Sequence, residues 1–268
     1  MIALDKTHTD AAKFNKMVYE YMTGVTDTDY KLFLSHSKCD KNKPVIVPKN
    51  QFVYHTTGKN PSEFKLSKEG YLYCVFDYID RMYYAGFFAT MKYKNNLKYN
   101  QDPKVYLVEF KLKTDIRTLS YNEQLKEWIK FYGENKKLVA NELSQVSAYI
   151  MDEKPNMLYN ELINATNKDL SDYWYYLFIG SFERIFRKFS MYDMFRKQIK
   201  SKGANSLIDA NDVNESEAQS RYPIIILDTI ETLGHYTMRE LTKEEIINNM
   251  DEWIKLQQDS RPDIWYNK

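Results

Sequence analysis

Few side chains in this sequence are placed to do chemistry, and those that are stand far apart. Histidine occurs four times, at 8, 36, 55 and 235, too sparsely for a site built on several histidine ligands. Cys39 and Cys74 belong to no C-x-x-C pair, which reads as two reduced thiols rather than a disulfide framework or a zinc site. A Cys74 nucleophile served by His55 is conceivable on residue type, but no spacing supports it. The G-x-x-x-x-G-K-[ST] phosphate loop, G-x-G-x-x-G, H-E-x-x-H and G-x-S-x-G are all absent, and with them the chemistries that those motifs carry. What remains is His55 at the end of a β-type run, a set of aromatics after Gly70, and the acids Asp212, Glu215 and Glu217 in a polar stretch. Such residues can hydrogen-bond a ligand, stack on a flat ring and neutralise positive charge. Solvated loop acids are the plainer reading of that last group.

Five features follow one another along the chain. A strand ends in Val53-Tyr54-His55-Thr56-Thr57, and Phe64 and Gly70 lead to a second strand, Tyr71-Leu72-Tyr73-Cys74-Val75-Phe76. A helix beginning Asp77-Tyr78-Ile79-Asp80-Arg81 comes next, then a strand over Val105–Leu112. The last feature is Lys202-Gly203-Ala204-Asn205-Ser206-Leu207-Ile208-Asp209 followed, after a loop, by Tyr222-Pro223-Ile224-Ile225-Ile226-Leu227-Asp228. This order resembles the His-Tyr-Glu branch of the ADP-ribosyltransferase superfamily over residues 45–119 and 190–230. There, a first strand carries Tyr-His-Gly-Thr or a close variant, a second strand carries an aromatic and leads into a helix, and a Lys-Gly-Tyr-Asp-Gly-Ile-like turn precedes a last strand with an acid near its start.

The resemblance implies NAD as substrate. Cleaving its nicotinamide–ribose bond gives an oxocarbenium-like transition state, so the site must hold the dinucleotide bent, stack the nicotinamide and set a carboxylate where positive charge develops. On this basis His55 hydrogen-bonds the adenosine-side ribose and Thr56 backbone groups hold the nicotinamide amide. One of Tyr71, Tyr73 and Tyr83 covers the nicotinamide ring. Two departures bear on this. Thr56 stands where the family has glycine, which narrows the pocket, and Pro223 stands where the family has its acid. The nearest acids, Glu215 and Glu217, form the Glu-x-Glu of the arginine-specific branch, in which the first acid helps activate the acceptor. That branch places an arginine where this chain has His55. The expectation is a transferase moving ADP-ribose from NAD to a macromolecular acceptor, protein or nucleic acid. Its implied role is that of a toxin, an antiphage effector or a phage modifier, with an antitoxin or inhibitor as a further partner. NAD hydrolysis is one alternative; an inactive binding module that keeps the fold is the other, and the displaced acid speaks for it.

These residues need elements to position them. Ala11, Phe14, Val18, Tyr21 and Met22 recur at helical intervals within 10–36. Val45–Val47 and Gln51–Thr57 are β-branched and aromatic runs bounded by Pro44, Pro48 and Gly58, and Tyr71–Phe76 is a further apolar run. A helix is expected over Tyr78–Phe88. Val105–Lys113 alternates, with Tyr106, Val108, Phe110 and Leu112 on one apolar face. Across 121–200 the helical period returns, in Leu125, Trp128, Ile129 and Tyr132 and again in Tyr175, Phe178, Ile179 and Phe182. Gly203 suits a helix C-cap; Ser206–Ile208 and Ile224–Leu227 are short buried strands around a polar loop, and Thr242 with Glu245 opens a last helix to about Leu256. The expected fold is α+β in a single domain, 1–268. It has an N-terminal helical segment (1–44), a split mixed sheet of ADP-ribosyltransferase type (45–119 and 201–230), a helical insertion (121–200) and a C-terminal helix (240–258).

Bulk properties narrow the classes further. A formal charge of +1, from 38 basic and 37 acidic residues, gives no global pull toward nucleic acid or membrane. The Lys-rich stretch Lys92–Lys104, with Tyr93 and Tyr99 interleaved, is either a solvated hairpin loop or a contact for single-stranded nucleic acid. The 23 tyrosines and 14 phenylalanines reflect either AT-rich codon usage or stacking surfaces. Met1–Lys16 has no secretory apolar core, and no run reaches the roughly 18 apolar residues of a membrane span. The expected location is the cytoplasm, of the producing cell or of one it enters.

Overall fold

The computed structural model describes residues 41–66, 71–76, 104–151, 154–182, 188–209, 224–242 and 244–245. Strand β1 (Ile46–Val47) pairs with β5 (Ile116–Arg117). Strands β2 (Phe52–Thr57), β4 (Tyr106–Leu112) and β8 (Leu233–Glu240) form a three-stranded sheet with β4 central. A second such sheet contains β3 (Leu72–Cys74), β7 (Ile224–Ile226) and β6 (Ser206–Ile208), with β7 central. All these pairings are antiparallel, in place of the mixed sheet that the family resemblance implied. The reason is that β3 and β6 run the same way but β7 lies between them, running opposite to both. The two three-stranded sheets meet at one bridge, Tyr54 with Val75.

Helices fill the block between β5 and β6. The first, α1 (Tyr121–Met151), opens with a reciprocal cap: Glu123 N–H donates to Ser120 Oγ at 3.2 Å, and Ser120 N–H to Glu123 Oε2 at 3.0 Å. It departs from helical geometry at Asn135, whose amide bonds back to the Phe131 carbonyl at 3.0 Å. After α2 (Pro155–Asn164), a Thr166–Asp169 capping box starts a short turn that widens into a π-helical segment, Leu170–Trp174, and continues as α3 (Tyr175–Gly180). The α4 helix (Ser190–Ser201) supplies no cap of its own; Glu142 of α1 accepts from Ser190 N–H, Ser190 Oγ and Met191 N–H, at 2.7–3.2 Å. A carboxylate at a helix N-terminus also meets the positive end of the helix dipole.

Packing ties this block to the sheets. Trp128, Phe131, Phe178, Phe182, Tyr192 and Phe195 form an aromatic centre in which Trp128 and Phe178 stack at 4.3 Å. It is continuous with Leu72 and Cys74 of β3, Leu207 of β6 and Ile224–Ile226 of β7 in one buried cluster. Buried Gln124 of α1 donates to the Ile208 carbonyl at 2.8 Å and accepts from the Ile208 N–H at 3.0 Å, while its amide nitrogen also donates to Tyr175 Oη at 2.7 Å. Asn205 joins β5 to β6 through Arg117 N–H (2.9 Å) and the Asp115 carbonyl (2.8 Å). No helix among the described residues is long and apolar enough to cross a membrane.

The expected strands form where the apolar runs lie, within one or two residues. The 121–200 block is helical throughout its described part, and Gly203 (φ +84°) ends α4 as a left-handed C-cap, donating to the Lys200 carbonyl at 2.9 Å. Alternation in β4 holds only in its second half: Tyr106, Leu107 and Val108 are all buried, because the central strand is covered on both faces there. Two strands escaped the sequence reading, β5 and β8. The latter is mostly exposed and carries no apolar alternation. It passes so close to β4 at a register shift that a Cβ on Gly234 would lie 2.6 Å from the Lys111 carbonyl oxygen. The expected helices over 10–36 and 78–88 lie outside the described residues. Of the last helix only its start is described, where Glu245 N–H donates to Thr242 Oγ1 at 3.1 Å.

Candidate functional site at the divergence of two sheets

His55 stands where the two sheets part. Tyr54 exchanges two backbone hydrogen bonds with Val75, at 2.9 and 3.1 Å, and the β2–β3 pairing stops at that bridge. In a continued antiparallel ladder the next acceptor on β3, the Tyr73 carbonyl, would receive the Thr56 N–H. Here that carbonyl accepts from the imidazole, His55 Nδ1, at 2.8 Å. A carbonyl oxygen only accepts, so Nδ1 carries the proton, and in the neutral ring Nε2 is the acceptor. The β-branched and aromatic run on β2 builds this arrangement locally. It puts Val53 into the core while His55 stays half-buried, opposite Val108 of β4.

A short loop then folds back over the His55 face of the sheet. Asn60 organises it: its side-chain oxygen accepts from Ser62 N–H, Ser62 Oγ and Glu63 N–H, and its carbonyl accepts from Phe64 N–H. Phe64 thereby lies 6.1 Å from His55, 6.2 Å from Phe110 and 5.5 Å from Tyr236, measured between ring centres. The histidine is framed by a buried aromatic on one side and the β3 backbone on the other. Thr56 and Thr57, the next residues, are themselves buried.

Two residues before Tyr73, Tyr71 faces the helical block. Its ring meets Phe182 edge-on at 4.6 Å, and the Arg196 guanidinium lies 5.7 Å from its centroid. Burial pushes the Tyr71 phenol far above its ordinary value, against the Arg196 charge and hydrogen bond that act to lower it. Arg196 in turn donates to Asp228 Oδ1 at 2.5 Å, and Lys200 pairs with the other Asp228 oxygen. Asp228 lies two residues past β7 and its side chain is only 7% exposed, so this buried carboxylate is held by two cations from one helix.

The structure thus brings His55, Thr56 and Tyr73 to one locus and keeps Tyr71, just before β3, packed on Phe182 and on Arg196 of α4. Tyr83, Glu215 and Glu217 lie outside the described residues. The Arg196–Asp228–Tyr71 cluster was not foreseen. Nothing in the local sequence around Arg196 connects it to an acid 32 positions on. No group of three or more His, Cys, Asp or Glu side chains suited to a metal ion occurs among the described residues. Comparison with protein-family models, with curated proteins and with solved structures gives no match to this chain.

Proposed function

We propose that this chain is an NAD-dependent ADP-ribosyltransferase that cleaves the nicotinamide–ribose bond and passes ADP-ribose to a macromolecular acceptor. The observation that carries this reading is the anchoring of His55 Nδ1 on the Tyr73 carbonyl, where β2 and β3 separate. With that nitrogen protonated, Nε2 of the neutral ring accepts hydrogen bonds, which is what a ribose hydroxyl requires as donor. By strand alternation the Thr56 backbone N–H and C=O are directed to the same β2 edge as those of Tyr54. On the family resemblance the Thr56 backbone is assigned to the nicotinamide amide. The half-buried Tyr73, with Tyr83, supplies candidate rings for the nicotinamide, whereas the Tyr71 ring is taken up by Phe182 and Arg196. We read the finer architecture, two sheets splayed from a histidine-bearing strand, as ADP-ribosyltransferase-like. The carboxylate that meets the oxocarbenium is assigned to Glu217, with Glu215 acting on the acceptor.

Incubating the full chain with NAD labelled in its adenylate half, in the presence of a cell lysate, tests the reading. Nicotinamide release together with label on a macromolecule is the expected result. Nicotinamide release without label transfer identifies a glycohydrolase. Neither product overturns the enzymatic reading and leaves an inactive binding module.

A further inference from the structure

We propose that Arg196 is a positioning residue for His55, acting through Tyr71 and the β3 backbone. Strand β3 is only three residues long and meets β2 at a single bridge, so its own ladder restrains it weakly on the histidine side. On its other edge β7 pairs with it from Leu72 to Cys74, and before Leu72 the chain is held from the helical block. Asp228 fixes the Arg196 fork at 2.5 Å, and Lys200 on the next helical turn of α4 closes on the other carboxylate oxygen. The guanidinium donates to the Tyr71 phenol oxygen and covers its ring, while Phe182 meets the ring edge-on at 4.6 Å. Tyr71 is therefore clamped between Phe182 and Arg196 of α4, and two residues later the Tyr73 carbonyl sets the tautomer and angle of His55. Loosening Tyr71 lets that carbonyl move, and the imidazole loses the acceptor that keeps its proton on Nδ1.

This inference deepens the reading of His55 as a ligand-binding group, but its test needs no NAD. Nitrogen-15 NMR of histidine-labelled full-length protein gives the Nδ1–H to Nε2–H ratio at His55, assigned by its loss in His55→Gln. Arg196→Met keeps side-chain length without the fork, and Tyr71→Phe keeps the ring on Phe182 without the phenol oxygen. In both variants the ratio is expected to fall about tenfold, the change that loss of the Nδ1–H hydrogen bond to the Tyr73 carbonyl brings. A wild-type ratio in either folded variant overturns the proposal. Should Arg196→Met fail to fold, Tyr71→Phe decides alone. A wild-type chain that releases no nicotinamide sinks the NAD reading and leaves this ratio standing, so the two failures are distinct.

Discussion

At His55 one hydrogen bond decides what the ring can offer. Because Nδ1 is committed to the Tyr73 carbonyl, the proposed ribose contact falls to Nε2 as an acceptor. His55→Ala should therefore raise the KM for NAD about tenfold, the worth of one ligand hydrogen bond, with a smaller fall in kcat. Steady-state nicotinamide release over a range of NAD concentrations checks this, and a fall confined to kcat counts against the ribose-binding role. Glu217 carries the opposite expectation. Glu217→Gln keeps size and removes charge, so nicotinamide release should drop about 100-fold while KM and folding hold; Glu215→Gln should act more on label transfer than on release. A fully active, folded Glu217→Gln protein would put the acid elsewhere. As a strand residue His55 was legible in the sequence, because it sits in an aromatic and β-branched run. Tyr71 was legible as an aromatic at the entry to β3, but its orientation was not, since that depends on Arg196 and Phe182, more than a hundred residues away.

Elements were readable wherever burial imprints a period. The three-residue strands β6 and β7 show in Ser206–Ile208 and Ile224–Leu227 because both are buried, and the α4 C-cap shows in Gly203. At φ +84° a side chain there is strained, so Gly203→Ala should cost about 1 kcal/mol in urea unfolding. By contrast β8 is mostly exposed: Tyr236 packs on Phe64 and Phe110, but His235 and Thr237 on either side of it are exposed, so no apolar alternation marks the strand. The capping of α4 by Glu142 is equally silent in sequence, since the cap comes from another helix. The α1–α4 contact also has a pH dependence. Burial alone would raise the Glu127 carboxyl, but hydrogen bonds from Lys202 and Gln198 outweigh it and hold the folded pKa below the ordinary 4.5. A depressed carboxylate stabilises fully above its unfolded pKa and loses that contribution as pH falls through the folded value. Unfolding free energy should thus decline as pH falls below the ordinary carboxylate value, and less steeply in Glu127→Gln. Equal slopes in the two proteins would rule out this contact as a source of acid sensitivity.

The described parts of the molecule share one buried cluster, running from Val45 beside β1, through the aromatic centre of the helical block, to Leu233 of β8. Sequence alone suggested a sheet core with a helical insertion, which could have been a separable appendage. The packing says otherwise, because Trp128, Phe178 and Phe182 belong to the same cluster as Leu72, Leu207 and Ile225. Urea unfolding followed by far-UV and near-UV circular dichroism should give coincident transitions. Two separated midpoints would mean that the helices unfold apart from the sheets. The whole-molecule layout was hardest to read in advance, since two sheets joined at one bridge leave no mark beyond the strand order.

The Gln124 amide has a consequence for how this protein behaves among its own copies. Strand β6 borders its sheet, and an outward-facing N–H and C=O at such a border invite another extended chain to add on. Gln124 offers Ile208 the same donor and acceptor that a neighbouring peptide unit would, but from a side chain that cannot be extended into a further strand. The sheet is finished by an imitation of the backbone, and growth by strand addition is blocked at Ile208.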